Sequence, residues 1–177
     1  MLTKRKTETP LNAAAARFAI VCARYNERYT DAMLGAAIDT LNVGRVTSRG
    51  EISRGGKADA VSGDTAYNGV TVVRVPGTFE IPVIAAQLAR SGKYDAVIAL
   101  GCIIQGKTDH ARLIGESVAH ALQTIAIETG VPCIFSVVTA ANEKQARERC
   151  LGKKHNRGIE AARTAIEMAG VRKRLLQ

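Results

Sequence analysis

The sequence predicts an α/β protein with a parallel sheet covered by helices, and three observations lead there. Short β-prone runs alternate with longer segments of helical period, the intervals between runs are long enough for crossover connections, and Gly or polar residues punctuate each change of period. A chain of 177 residues with 46% hydrophobic content lies in the size range of one domain and suffices to bury a single core.

After a polar, basic tail over residues 1–16, the run FAIVCA at Phe18 to Ala23 reads as a strand buried on both faces. It ends at Arg24-Tyr25-Asn26. Thr30 is placed to cap a helix whose Leu34, Ala37, Ile38 and Leu41 fall at i, i+3, i+4 and i+7, with a stop near Gly44. Residues 45–69 are rich in Gly, Ser, Asp and charge without sustained period, and read as a polar insertion; Asn68-Gly69 signals a turn. Val70 to Val75 is the second strand. It runs into Pro76-Gly77-Thr78-Phe79-Glu80 and a helix with Ile81, Ile84, Ala85 and Leu88 on one face, ended by Gly92.

The third strand, Ala96 to Leu100, leads through Gly101-Cys102-Ile103-Ile104 into Gln105-Gly106-Lys107-Thr108. Thr108 is placed as the N-cap of a long helix that Gly130 and Pro132 terminate. Cys133 to Val138 is the fourth strand, followed by a short basic helix around Glu143 to Arg149 and a loop at 151–156. A last helix puts Ile159, Ala162, Ile166 and Ala169 on one face, and residues 171–177 form a basic tail. The expected architecture is a single-domain, flavodoxin-like three-layer α/β/α over residues 17–170, with a parallel four-stranded sheet.

Charge invites a nucleic-acid reading, since the net formal charge is +9. Much of it is terminal, at Lys4, Arg5, Lys6, Arg172, Lys173 and Arg174. With aromatic content of 4% and no Trp, stacking platforms for single strands are scarce, so a small anionic substrate fits better than nucleic acid. The informative cluster is internal: Lys144, Arg147, Arg149, Lys153, Lys154 and Arg157 face a single acid, Glu148. No apolar stretch approaches the ~20 residues of a membrane helix, and the start of the chain lacks a Leu-rich signal core. The expectation is a cytoplasmic protein with no membrane partner. Cys22, Cys102, Cys133 and Cys150 show no C-x-x-C spacing, and the first three sit in apolar runs, so no metal site or redox dithiol is suggested.

In open parallel sheets ligands bind beyond the carboxyl ends of the strands. Gly106-Lys107-Thr108 lies there, between a strand and a helix, where free N–H groups and the helix dipole favour an anion. An ordinary Gly turn with a Thr cap explains the same residues, and Asp109 would compete for the helix end. His110 follows closely and can exchange protons near neutral pH. Arg149 has a guanidinium fork suited to phosphate, although a solvated helix face accounts for it equally well. Asn26 and Glu80 supply polar groups at neighbouring strand ends. Tyr25, Phe79, Ile103, Ile104 and Phe135 can form a slot for a flat ring, although the apolar ones are core residues by default.

Taken together, the segments FAIVCARYNERYTDAMLGAAIDTL, VTVVRVPGTFEIPVIA, YDAVIALGCIIQGKTDH, ETGVPCIFSVVT and ARERCLGKKHNRGIEAARTAIEMA resemble the lumazine synthase family, from about Arg17 to Ala169. The most specific part is V-R-V-P-G-T-F-E-I-P followed by A-L-G-x-x-I-x-G-x-T-x-H. The resemblance implies a cofactor-independent, metal-free condensation of 5-amino-6-(D-ribitylamino)uracil with 3,4-dihydroxy-2-butanone 4-phosphate in riboflavin biosynthesis. It implies that Tyr25, Asn26, Thr78, Phe79, Glu80, Ile103 and Ile104 hold the pyrimidine and its ribityl chain, with Phe135 and Arg157 supplied by a neighbouring subunit. Lys107 and Thr108, with Arg149 of the adjacent subunit, would hold the phosphate, and His110 would move protons. A homo-oligomer is implied, a pentamer or an assembly of pentamers.

The chain departs from the family pattern at Gln105, where many relatives carry Arg, at Ala-Arg-Leu after His110 in place of an aromatic-acidic-aromatic stretch, and in the long insertion. A non-catalytic paralogue that binds lumazine or flavin is the alternative from another class. Keeping a phosphate site beside a proton donor argues against it.

Overall fold

The computed structural model describes residues 16–43, 64–67, 70–152 and 155–176. The N-terminal tail, most of the segment 45–69 including the Asn68-Gly69 turn, and Lys153 and Lys154 lie outside them. Strand β1 (Phe18–Ala23) is followed by helix α1 (Glu27–Val43), strands β2 (Asp64–Tyr67) and β3 (Val70–Val75), a 3₁₀ turn (Thr78–Glu80) and helix α2 (Ile81–Arg90). Then come β4 (Ala96–Ile104), α3 (His110–Thr129), β5 (Cys133–Ala140), α4 (Glu143–Cys150) and α5 (Arg157–Leu175). The strands lie in the order β2-β3-β1-β4-β5.

Four of these strands are parallel, as the alternating pattern predicts, giving the flavodoxin-like fold. A fifth is added at the edge: β2 pairs antiparallel with β3, Asp64 opposite Val73 and Tyr67 opposite Val70. The sequence DTAY carries too little β-pattern to be read as a strand, and it comes from the stretch expected to be only a polar insertion. Its place follows from pairing with the exposed edge of β3.

Every residue of β1 is buried, and the alternation of its side chains divides the core in two. Phe18, Ile20 and Cys22, with Ala96, Ile98, Leu100 and Cys102 of β4, meet the buried faces of α1, α4 and α5. Ala19, Val21 and Ala23, with Val97, Ala99 and Ile103, meet α2 and α3 on the other side. The three layers follow from this period-two pattern.

Local boundaries differ from expectation where backbone contacts override side-chain signals. Helix α1 starts three residues before Thr30, which lies inside the helix with its Oγ1 3.4 Å from the Glu27 carbonyl and is no cap. Asn26 starts the helix instead: at φ 60°, a conformation Asn tolerates, its carbonyl accepts the N–H groups of Tyr29 and Thr30. The buried face of α1 accordingly shifts to Tyr29, Met33, Ala37 and Leu41, with Leu34 and Ile38 at its margin. Strand β4 runs four residues beyond Leu100, because β5 pairs with it through Ile104.

Thr108 does not cap α3 either. Asp109 occupies that position, without a side-chain capping bond, and the helix closes at Gly130 in the left-handed conformation. Helix α4 is capped by Asn142, whose side chain accepts the Gln145 N–H. The residues expected as a basic tail continue α5 to Leu175, where Arg172 donates from Nε to the Gly130 carbonyl at 2.8 Å. The buried stripe of α5 is made of small residues, Gly158, Ala161, Ala162, Ala165 and Ala169, rather than its isoleucines. A Cβ at Gly158 would stand 1.9 Å from the Met33 carbonyl oxygen, so that close approach of α5 to α1 requires glycine.

Candidate active site

The strand order changes direction at β1, since the chain passes from β3 on one side to β4 on the other, and a crevice opens at the carboxyl ends there. Asn26 braces it. Its Nδ2 donates to the Cys102 carbonyl at 2.9 Å, tying the end of β1 to β4. The N–H groups of Arg24 and Tyr25 bond to the carbonyls of Val75 and Pro76, at 2.8 and 3.0 Å, which joins the end of β3 to the same frame.

The resulting cavity has a volume of about 620 Å³ and gathers Tyr25, Asn26, Thr78, Phe79, Glu80, Ile103, Ile104, Thr108 and His110. Of the sequence-predicted site residues, these nine therefore meet. Tyr25 and Phe79 are 73% and 61% exposed, although large aromatic rings are usually buried in a core; two open aromatic faces at one crevice suit a flat ligand. Thr78, in contrast, is buried.

Gln105 closes the loop after β4. Its backbone N–H is held by the Ala140 carbonyl at 2.8 Å, and its Nε2 donates to the Thr108 carbonyl at 3.0 Å. Lys107, the Thr108 hydroxyl and the His110 ring are exposed, and none of the three has a hydrogen-bond partner among the described residues. Asp109 is drawn off by Arg112, which also binds Glu116; these two carboxylates raise the guanidinium pKa, Glu116 contributing most.

Of the other four predicted site residues, Lys107 lies on the loop between Gly106 and Thr108 without lining this cavity, and three are elsewhere. Phe135, Arg149 and Arg157 line a separate cavity of about 740 Å³ on the outer edge of the sheet, at β5, α4 and α5. Phe135 is 45% exposed on this edge strand. The two arginines differ in state. Arg157 donates from Nη1 to Glu160 at 2.5 Å, while Arg149 has no hydrogen bond or ion pair among the described residues. Arg149 is thus a free fork for an anion, and Arg157 is an already neutralised donor.

Sequence reasoning missed the wall that α3 gives the first cavity: Leu113, Ile114 and Ser117 line it beside His110. Their spacing from His110, i+3, i+4 and i+7, was the available signal. Glu160, which holds Arg157, was also missed; it lies one helical turn along α5, at i+3.

The cysteines are all free. Burial pushes the Cys22 and Cys133 thiols up to about 11, while a hydrogen bond from Cys150 lowers Cys102 and raises Cys150. Among the described residues no three His, Cys, Asp or Glu side chains are grouped to hold a metal ion, and no helix is long and apolar enough to cross a membrane.

The model of one protein family, described as 6,7-dimethyl-8-ribityllumazine synthase, matches residues 15–173. A protein of Thermococcus kodakarensis named 6,7-dimethyl-8-ribityllumazine synthase is 36% identical over 171 residues, which cover 97% of this chain and 96% of that protein.

Proposed function

The chain belongs to the 6,7-dimethyl-8-ribityllumazine synthase family, transferases of riboflavin biosynthesis, and from that premise we propose that it condenses 5-amino-6-(D-ribitylamino)uracil with 3,4-dihydroxy-2-butanone 4-phosphate, releasing phosphate and water. The observation that carries the reading is the crevice itself, which combines two exposed aromatic rings, a buried Thr78, Glu80 and a His110 ring with no hydrogen-bond partner among the described residues in one cavity. In this reading the pyrimidine stacks on Tyr25 and its edge is read at Ile103 and Ile104. Its ribityl chain runs along Asn26, Thr78, Phe79 and Glu80.

The phosphate of the second substrate docks at Lys107 and Thr108, where nothing else in the described chain uses the Lys107 ammonium or the Thr108 hydroxyl. The amine of the pyrimidine attacks the ketone and loses water to give an imine, phosphate is eliminated to leave an enol that tautomerises to a ketone, and the remaining amine closes the second ring on that ketone with loss of a second water. Orientation and proton transfer are the main demands, so His110 is assigned the proton transfers.

Phe135, Arg149 and Arg157 form a half-site of their own at the β5 edge of the sheet, apart from the crevice, which supports a site completed between subunits. We assign the active unit to a pentamer, in which Phe135 and Arg157 of one subunit close the pyrimidine pocket of the next and Arg149 completes its phosphate site. A protein of this function, incubated with both substrates, produces lumazine absorbance and phosphate in step. Ring binding without turnover would identify a non-catalytic paralogue. Light scattering should find no active monomer, and a monodisperse active monomer would overturn the shared site.

A further inference from the structure

We propose that Arg112 is a positioning residue for the ketose phosphate: by holding the Asp109 carboxylate, it keeps that negative charge from occupying the anion site at Lys107 and Thr108. The inference rests on the reading that the phosphate docks on this loop.

Asp109 stands at the N-cap position of α3, where a carboxylate ordinarily accepts the free N–H groups of the first turn. It accepts none of them with its side chain. Its Oδ2 instead takes a hydrogen bond from Arg112 Nη2 at 3.2 Å. The other end of the guanidinium is fixed, since Nη1 donates to both carboxylate oxygens of Glu116, at 3.1 and 2.9 Å. Glu116 lies one turn further along α3, so this anchor orients the fork back toward the start of the helix.

The donors that Asp109 leaves unused are those that a phosphate at a helix start would take. Without Arg112 the carboxylate is free to turn onto them, and it brings a negative charge beside an incoming dianion. Arg112 therefore acts on the substrate through Asp109. The groups involved are exposed, so solvent screening limits the effect to a few-fold.

Steady-state kinetics of Arg112→Gln, Asp109→Asn and the double variant test this. Arg112→Gln should raise KM for the ketose phosphate about threefold, with the rise confined to that substrate. Asp109→Asn should produce no rise, and the double variant should return to the Asp109→Asn value. If the double variant keeps the full rise, Arg112 acts independently of Asp109 and the proposal falls; an equal rise in KM for the pyrimidine defeats it as a general disturbance. Lys107→Ala, measured alongside, separates the two levels. A response to Lys107→Ala without one to Arg112→Gln overturns the role of Arg112 alone, whereas no response to Lys107→Ala removes the phosphate from the loop and overturns both.

Discussion

A Cβ on Gly101 would stand 2.7 Å from Oγ1 of Thr78 and 2.8 Å from its Cγ2, so Thr78 occupies space that only glycine at 101 leaves open. Gly101 lies inside β4, where glycine otherwise weakens a strand, and here it lets the 3₁₀ turn settle against the sheet. Gly101→Ala should therefore cost about 1–3 kcal/mol of stability and raise KM for the pyrimidine by displacing Thr78. Urea unfolding and kinetics read both effects. In a Thr78→Ala background the added methyl group should cost measurably less stability, and an unchanged cost would place the clash elsewhere.

If His110 carries the proposed proton transfers, His110→Ala should lower kcat by about 100-fold while leaving pyrimidine affinity nearly intact, because other side chains line most of the cavity proposed for the ring. Single-turnover rates, corrected for the uncatalysed condensation, measure the first effect and equilibrium titration the second. Wild-type turnover at saturating substrate would remove His110 from proton transfer.

In the proposed shared site, Arg149→Ala should chiefly raise KM for the ketose phosphate, by ~10-fold or more, since there a charge-assisted fork is lost from that substrate alone. Arg149 has no ion pair among the described residues, so its removal strands no protein carboxylate there. A change limited to pyrimidine affinity would reassign it.

Stability should fall as pH rises from about 9 to about 11, because the buried Cys22 thiol keeps its proton up to about 11 while the unfolded chain releases it near its ordinary 9.0. The folded pKa is the raised one, so the stabilisation is present below the unfolded value and is lost as pH climbs through the folded value. Cys22 contributes on the order of 2 kcal/mol to this slope. Denaturant unfolding of the parent and of Cys22→Ala across that range should show a shallower slope for the variant; parallel slopes would contradict the assignment.

Two strands were legible in the sequence to their observed limits: FAIVCA, a continuous apolar run buried along its whole length, and VTVVRV, a valine-rich run that is only partly buried. The four residues of β2 became a strand only through β3, and Gly101 made β4 look shorter than it is. Asn26 was foreseen at a strand end, but its left-handed backbone, which moved the start of α1, is one of several conformations that Asn adopts and is chosen by the contacts around it. The carboxyl-end rule and the family resemblance together named candidates of which nine are neighbours at one crevice, with His110 brought there by following the loop after β4. The separation of Phe135, Arg149 and Arg157 into another cavity depends on β5 lying at the edge, and strand order is set by tertiary packing rather than by local pattern.

The two cavities of one chain also have a genetic consequence. In the proposed ring, a subunit lacking His110 still offers an intact edge to its neighbour, and a subunit lacking Arg149 still offers an intact crevice. The two defects should therefore complement each other. Unfolded and refolded as an equal mixture, His110→Ala and Arg149→Ala chains would assemble at random, leaving about a quarter of the junctions between subunits with both halves whole. Activity should reappear in the hybrid although each parent is impaired. If each chain held its entire site, mixing would restore nothing.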